Sequence, residues 1–442
     1  MPATSSHRTR VAVLADSDTR WKWGALTAHR LVPDIAFDGF LLRGRATPTP
    51  RQLGEVGVSA DSLREVTAVE FLRTMGREVY DVVVLACVGG AVQAVLHGLA
   101  RTWAGRAMRP VVVTGYVGVV YEKLADGLLL RHGADLVLAN SRHDAMRFRS
   151  VYRGVGADTS SVVETALPFL GGAPYDGNAR GSRPYTVVFA AQPSVPVTRA
   201  DRLYLLRRAA EHARRHPDRE VQVKLRSKPG EHTTHIEELP YQKLAAKIPG
   251  GLPANCRLVY GHMGEVLDRT DLLVTISSTA ALESLHRRIP TAVLTDLGVR
   301  EALGNHHFLG SGCLASWDEL DAGHRPEPDA LWLSCQGVAA DGAYEDAFTA
   351  ARERVAALLA DRSLPHLTPY YTSATAPGYL PGILARHHLD PTGEPLPGAS
   401  AVSEETGGVR RIVRGAVRDA ARGAYRHGVQ RVAPVIRRMG EL

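Results

Sequence analysis

With 442 residues, 45% of them hydrophobic, the chain is long enough for two or three packed domains and too apolar for global disorder. Its four cysteines, Cys87, Cys256, Cys313 and Cys335, lie far apart without a Cys-x-x-Cys pair, which excludes a disulfide framework and a zinc cluster and fits a reducing compartment. The formal net charge is +7, and residues 409–442 alone, with nine Arg against one Asp and one Glu, carry all of that excess, so the body is near neutral and unsuited to nucleic acid.

The first ten residues lead directly into a strand-like run, so no secretory leader is expected, and no apolar run is long enough to cross a bilayer. Strands are predicted at Val11–Ala15, Ile35–Leu42, Val82–Ala86, Val111–Thr114 and Leu136–Ala139, with a loop from Asp16 to Trp21. Helical patterns fall between them at Val66–Arg77, Ala91–Ala104, Glu122–His132 and Arg142–Arg153. Short β-branched runs alternating with helices predict a parallel sheet covered on both faces, a first Rossmann-like domain over 1–169. No Gly-x-Gly-x-x-Gly follows its first strand, so it has no dinucleotide fingerprint.

The Gly- and Pro-rich stretch 170–184 reads as a linker. A second series then runs over 185–340: strand Thr186–Ala190, helix Arg199–His216, strands Val221–Leu225 and Arg257–Tyr260, a short helix near Met263–Arg269, strand Leu272–Ile276, a helix from Thr279 and strand Ala292–Thr295. A helix at Tyr344–Asp361 opens a closing, irregular segment over 341–392, and 393–408 reads as a flexible linker. In 409–442, Arg410, Arg414, Arg418, Arg422 and Arg426 repeat every four residues opposite Val413, Val417 and Ala420, the pattern of a basic amphipathic helix suited to an anionic membrane surface.

Two such domains are expected to face each other across a cleft lined by the carboxyl ends of both sheets, where open α/β sheets bind ligands. Three loops of the second domain belong there. The first carries Gln192, the second Arg226 and Lys228 just past the strand residue Lys224, and the third Ser277-Ser278-Thr279. The third loop leads into a helix N-terminus, where bare N–H groups and the dipole favour a phosphate, and Glu283 lies one turn further in, within reach of a ribose. Cations beside hydroxyls make a phosphate cradle. Asp16 and Asp18 close the first strand. As an Asp-x-Asp pair they could instead hold a metal, but two acids in a turn are ordinary turn chemistry, and no metal site is expected. His232 and His235 have no third ligand at a clear spacing. Gly115-Tyr116-Val117-Gly118 follows a strand and offers an acceptor a close approach.

The run LLVTISSTAALESLHRRIPTAVL, with Ser277-Ser278-Thr279, Glu283 and Pro290, resembles the nucleotide-binding half of GT-B glycosyltransferases, the bacterial polysialyltransferase and capsule-transferase type most of all. The likeness covers residues 186–298, and the His-Pro motif of those enzymes aligns with Lys228-Pro229, so the histidine is replaced. The resemblance implies an inverting, metal-independent transfer with no cofactor and with a CMP-activated nonulosonic acid favoured over a UDP-sugar as donor. It implies a carboxylate base from an acidic pair before Gly; the nearest match is Ala125-Asp126-Gly127, with Asp16 and Asp18 as the other candidates. The acceptor would be a glycan or lipid-linked chain. The enzyme would be cytoplasmic, held at the inner membrane face by its Arg-rich tail. A CDP-polyol phosphotransferase of the teichoic-acid type and a non-catalytic scaffold of the same fold are the alternatives.

Overall fold

The structure, a computed structural model, describes residues 8–44, 46–119, 124–226, 228, 239–338, 344–361 and 363–399. The basic stretch 409–442, the histidines at 232 and 235 and most of the loop around Pro229 lie outside the described residues. The chain divides into two units. Residues 8–169 and 344–399 form the first, and 170–338 form the second.

The first unit holds seven parallel strands: β1 (Thr9–Ala15), β2 (Ile35–Leu42), β3 (Ser62–Val66), β4 (Val82–Ala86), β5 (Val111–Gly115), β6 (Leu136–Ala139) and β7 (Val162–Glu164). Their order is β3-β2-β1-β4-β5-β6-β7. The five expected strands are all present. The two that periodicity missed are the edges: β3 is largely exposed and charged, and β7 has three residues. An edge strand buries too little to show an apolar run. The expected loop from Asp16 to Trp21 is cut short, because Ser17 caps a helix over Asp18–Leu31 by accepting from the Arg20 N–H.

Both faces of this sheet are covered. Trp21, Trp23 and Ala25 of helix Asp18–Leu31 pack on Val11, Val13 and Val84, while Phe71, Val92 and Phe148 pack on the other face with Leu14 and Leu85. The closing segment serves both sides. Its first helix, Thr349–Ala360, sends Ala351 and Val355 to the Trp21 side, and helix Leu380–Ala385 sends Leu380 and Leu384 to the Phe71 side. Both leucines are fully buried, worth about 1.5–3 kcal/mol each. The segment passes so close to Gly133, at φ +101°, that a Cβ there would lie 2.8 Å from the Pro369 Cα.

The second unit holds six parallel strands: β8 (Tyr185–Ala190), β9 (Arg219–Lys224), β10 (Cys256–Val259), β11 (Leu272–Thr275), β12 (Thr291–Leu294) and β13 (Leu314–Ala315), in the order β10-β9-β8-β11-β12-β13. Phe189, Leu205, Tyr241 and Trp317 fill one face, and Val188, Leu267, Leu273 and Ala280 the other. Asp271, fully buried at the foot of β11, accepts from Arg183 Nη1 at 2.6 Å, Arg183 Nη2 at 3.0 Å, Thr186 N at 2.8 Å and Tyr175 Oη at 3.2 Å. That carboxylate ties the 170–184 connection to the sheet. Among the described residues no helix is long and apolar enough to cross a membrane.

Candidate functional site

Each sheet reverses its strand order once, between β1 and β4 in the first unit and between β8 and β11 in the second. At such a point two neighbouring strands send their chains to opposite faces and leave a crevice at the carboxyl edge.

In the second unit the register sets Ala190 beside both Lys224 and Thr275. Gln192, Arg226 and Ser277 therefore each stand two residues beyond the same rung, and the three predicted loops do converge. Their side chains divide the work. Gln192 accepts from the Ser277 N–H at 3.0 Å and donates to Ser277 Oγ at 3.2 Å, and Ser277 Oγ donates to the Leu303 carbonyl at 2.5 Å. Ser277 is buried, so this pair bolts the two sides of the crevice together. Ser278 and Thr279 are half-buried; Ser278 Oγ accepts from the Ala280 N–H at 3.2 Å, and Thr279 makes no side-chain cap to the short helix Ala280–His286. Glu283, in the first turn of that helix, is half-buried too. Lys224 is buried and donates to the Leu225 carbonyl at 2.8 Å, Arg226 is half-buried, and exposed Lys228 sits 5.9 Å from the Tyr260 ring centre.

Arg202 was not singled out by sequence. It is buried under the first loop, donating to the Gln192, Pro193 and Pro196 carbonyls at 3.2, 3.0 and 3.3 Å, and it lies over the Tyr241 ring. It holds Gln192 where Ser277 can meet it. Nothing distinguishes it in sequence from the other arginines of its helix.

At the first unit's reversal, Asp16 spans the crevice. Its Oδ1 accepts from Arg20 Nη1 at 3.0 Å and its Oδ2 from the Val88 N–H at 2.9 Å, joining the end of β1 to the end of β4. Asp18 is half-buried in the first helical turn next to it. Across the crevice the helix Gly89–Thr102 starts without a side-chain cap. Behind it Arg131, buried, donates to the carbonyls of Gly115, Gly127 and Cys87 at 2.9, 2.7 and 3.2 Å and stacks on Tyr116 at 4.1 Å. Burial lowers its pKa.

Asp126 does not join Asp16. It is exposed on the helix Leu124–Leu129, where Tyr379 donates to both its oxygens at 3.0 and 3.1 Å and Tyr371 donates at 3.3 Å. A third acid escaped sequence reasoning. Asp144, on the first turn after β6, is buried with one oxygen lacking a hydrogen-bond partner, and burial pushes its pKa up to about 6 against the pull of Arg147.

One further cluster has metal-like spacing. His212, His216 and Asp321 offer ligand atoms within 4.8 Å of one another. The surrounding charge opposes a cation: Asp321 already accepts from Arg208 at 3.0 Å and Arg215 at 2.8 Å, and His212 spends Nδ1 on Asp321 at 2.6 Å and Nε2 on Arg219 at 3.2 Å. Burial holds the His212 pKa well below the usual imidazole range, against the pull of its hydrogen bond to the Asp321 carboxylate. The folded state thus resists a proton that the unfolded chain takes up below about pH 6.5. Stability from this group is present above that value and is lost as pH falls toward 4. In urea titrations, the stability cost of His212→Asn is expected to shrink between pH 7 and pH 4.5; a constant cost across that window refutes the assignment.

These two doubly wound domains coincide with a match over residues 11–357 to the family described as "Putative glycosyltransferase (DUF6716)". The chain belongs to this family. By that family's description it is a glycosyltransferase, and its two parallel-sheet domains are GT-B-like in fold. Among solved structures it is similar to the UDP-N-acetylglucosamine 2-epimerase of Rickettsia bellii, at 11% identity and a TM-score of 0.52 over 80% of this chain and 97% of that one. It is likewise similar to the UDP-GlcNAc 2-epimerase of Neisseria meningitidis, a structure bound to UDP-GlcNAc, at 10% identity and a TM-score of 0.50 over 80% and 100% of the two chains. At these identities the likeness is one of fold. No curated protein sequence matches the chain significantly.

Proposed function

We propose that this glycosyltransferase moves a sugar from a nucleotide-activated donor to an acceptor hydroxyl by a metal-independent, inverting displacement. The observation that carries the reading is the alignment of Gln192, Arg226 and Ser277 two residues past one rung at the second sheet's reversal. In this reading the Gln192–Ser277 pair shapes the floor of the phosphate site. Ser278, Thr279, Arg226 and Lys228 face the donor, and Glu283 takes its ribose. The cations stabilise the departing phosphate as a divalent ion otherwise would. Lys224, buried on that rung two residues before Arg226, adds positive charge to the same edge.

The resemblance of Ser277-Ser278-Thr279 to the motif of the polysialyltransferase type favours a CMP-linked nonulosonic acid as donor. A nucleoside diphosphate sugar is the second reading, and three cations in five residues at the end of β9 favour it because a diphosphate offers more charge to pair. Asp16 would take the acceptor proton. Each of its oxygens already accepts one hydrogen bond and retains a second lone pair. The arginine-rich 409–442 stretch would hold the enzyme at an anionic inner-leaflet surface near a glycan or lipid-linked acceptor.

Thermal unfolding with CMP or UDP tests the donor. The correct nucleotide at 100 Kd should add about 2.7 kcal/mol, and the double substitution Arg226→Ala/Lys228→Ala should abolish the response. No response to either nucleotide would count against the reading. Asp16→Asn should lower turnover by roughly 10²–10⁴-fold while leaving nucleotide binding intact. Unchanged turnover would remove Asp16 from the role.

A further inference from the structure

The carboxyl edge of the first sheet carries a second polar constellation besides Asp16. Asp126 follows β5 on the helix Leu124–Leu129 and is exposed to solvent. Two phenols from the returning segment converge on it. Tyr379 reaches both oxygens at 3.0 and 3.1 Å, and Tyr371 reaches one at 3.3 Å. Their rings meet edge to face at 5.2 Å, and the ring of Tyr370 joins that of Tyr371 at 5.3 Å. Burial first, and then the neighbouring carboxylate, raise both phenol pKa values, that of Tyr371 to about 12, so both remain donors throughout the neutral range.

Anchoring the segment does not explain this arrangement. Leu367, Leu380, Ile383, Leu384 and Leu389 already bury themselves in the first unit's core. Hydrogen bonds to an exposed carboxylate add little to that. Tyr379 stays 41% exposed, a large aromatic face left in water beside an acceptor-rich carboxylate. A sugar ring matches this chemistry. Its C–H face covers an aromatic face, and its hydroxyls donate to the remaining lone pairs of the carboxylate and to the phenol oxygens, whose own protons point at Asp126.

We propose that Asp126, Tyr371 and Tyr379 form the binding platform for an uncharged glycosyl acceptor. This rests on the glycosyltransferase reading and names the substrate class on its acceptor side. Asp126 then recognises the acceptor instead of acting as the base. Its negative charge disfavours an acidic sugar, while Arg386 acts on Tyr379 in the opposite sense.

Saturation-transfer NMR on the full chain tests the platform, with N,N′-diacetylchitobiose and cellobiose as neutral probes and 3′-sialyllactose as the acidic one. Transfer to a neutral probe is expected and should weaken roughly three- to tenfold in Tyr379→Ala, with partial retention in Tyr379→Phe. Asp126→Ala should weaken it roughly tenfold or more. Melting curves of the same samples with CMP and UDP report the donor site separately. No transfer to either neutral probe, transfer that survives both alanine substitutions, or a preference for the acidic probe overturns the platform. A retained nucleotide response in those cases leaves the donor assignment standing, and a lost response with sugar binding intact overturns the donor assignment alone.

Discussion

Asp271→Ala should cost the second domain about 2–4 kcal/mol, because it takes a fully buried acceptor away from four donors, one of them the Thr186 N–H inside the sheet. The carboxylate is fully buried and accepts four hydrogen bonds, two from Arg183 and one each from Thr186 and Tyr175. After truncation the Thr186 N–H has lost its acceptor inside the sheet, and Arg183 has lost the carboxylate that it grips with both Nη atoms. Against a typical domain stability of about 5–15 kcal/mol, this loss is a large fraction of the total. Urea unfolding followed through Trp317, buried in the same domain, measures it. A loss under about 1 kcal/mol would show that the network is dispensable. The companion change Arg183→Ala should cost at least as much, about 3–5 kcal/mol, since it leaves the fully buried Asp271 carboxylate without its cation and with only the Thr186 and Tyr175 donors.

A gain is expected at Asp144. Its pKa of about 6 stands above the ordinary 3.8 because burial penalises the charge. A raised folded-state pKa means that the folded chain binds the proton more tightly than the unfolded chain does. The group's contribution is therefore most favourable below about pH 4 and is lost as pH rises through 6. Above that point the buried charge costs on the order of 2–3 kcal/mol. Asp144→Asn removes the charge at nearly constant shape, and the Ser141 cap on the Asp144 N–H needs no side chain from residue 144. The variant should be more stable than the parent by about 1–3 kcal/mol at pH 8 and equal to it near pH 4. Equal stability at both values, or a loss at pH 8, would show that the carboxylate is satisfied when ionised.

The rhythm of apolar runs was enough to place the central strands. Val11–Ala15, Val82–Ala86 and Val111–Gly115 are buried on both faces, so their sequences are unbroken and apolar. The edges β3, β7 and β13 were invisible because a short or half-exposed strand carries no such run. In the candidate site, the three loop positions of the second domain were legible because a strand that ends in polar residues marks a sheet's carboxyl edge. The direction of each side chain was not. Ser277 and Ser278 are chemically identical neighbours, yet one is buried against Leu303 and the other is half-open. Asp16 and Asp126 looked equivalent as acids, and only their partners separate them: a guanidinium and a backbone N–H for one, two phenols more than 240 positions downstream for the other.

By itself the sequence determined that this protein has two parallel-sheet domains and a polar carboxyl edge on the second sheet, since both follow from residue spacing along one strand and into the next helix. Tertiary structure alone decided the strand order that creates the reversals, the burial of Arg202, Arg131 and Asp144, and the return of residues 344–399 to the first domain. The reason is range. Periodicity reports on neighbours a few residues apart, whereas a buried charge is held by groups that only the folded chain brings within 3 Å.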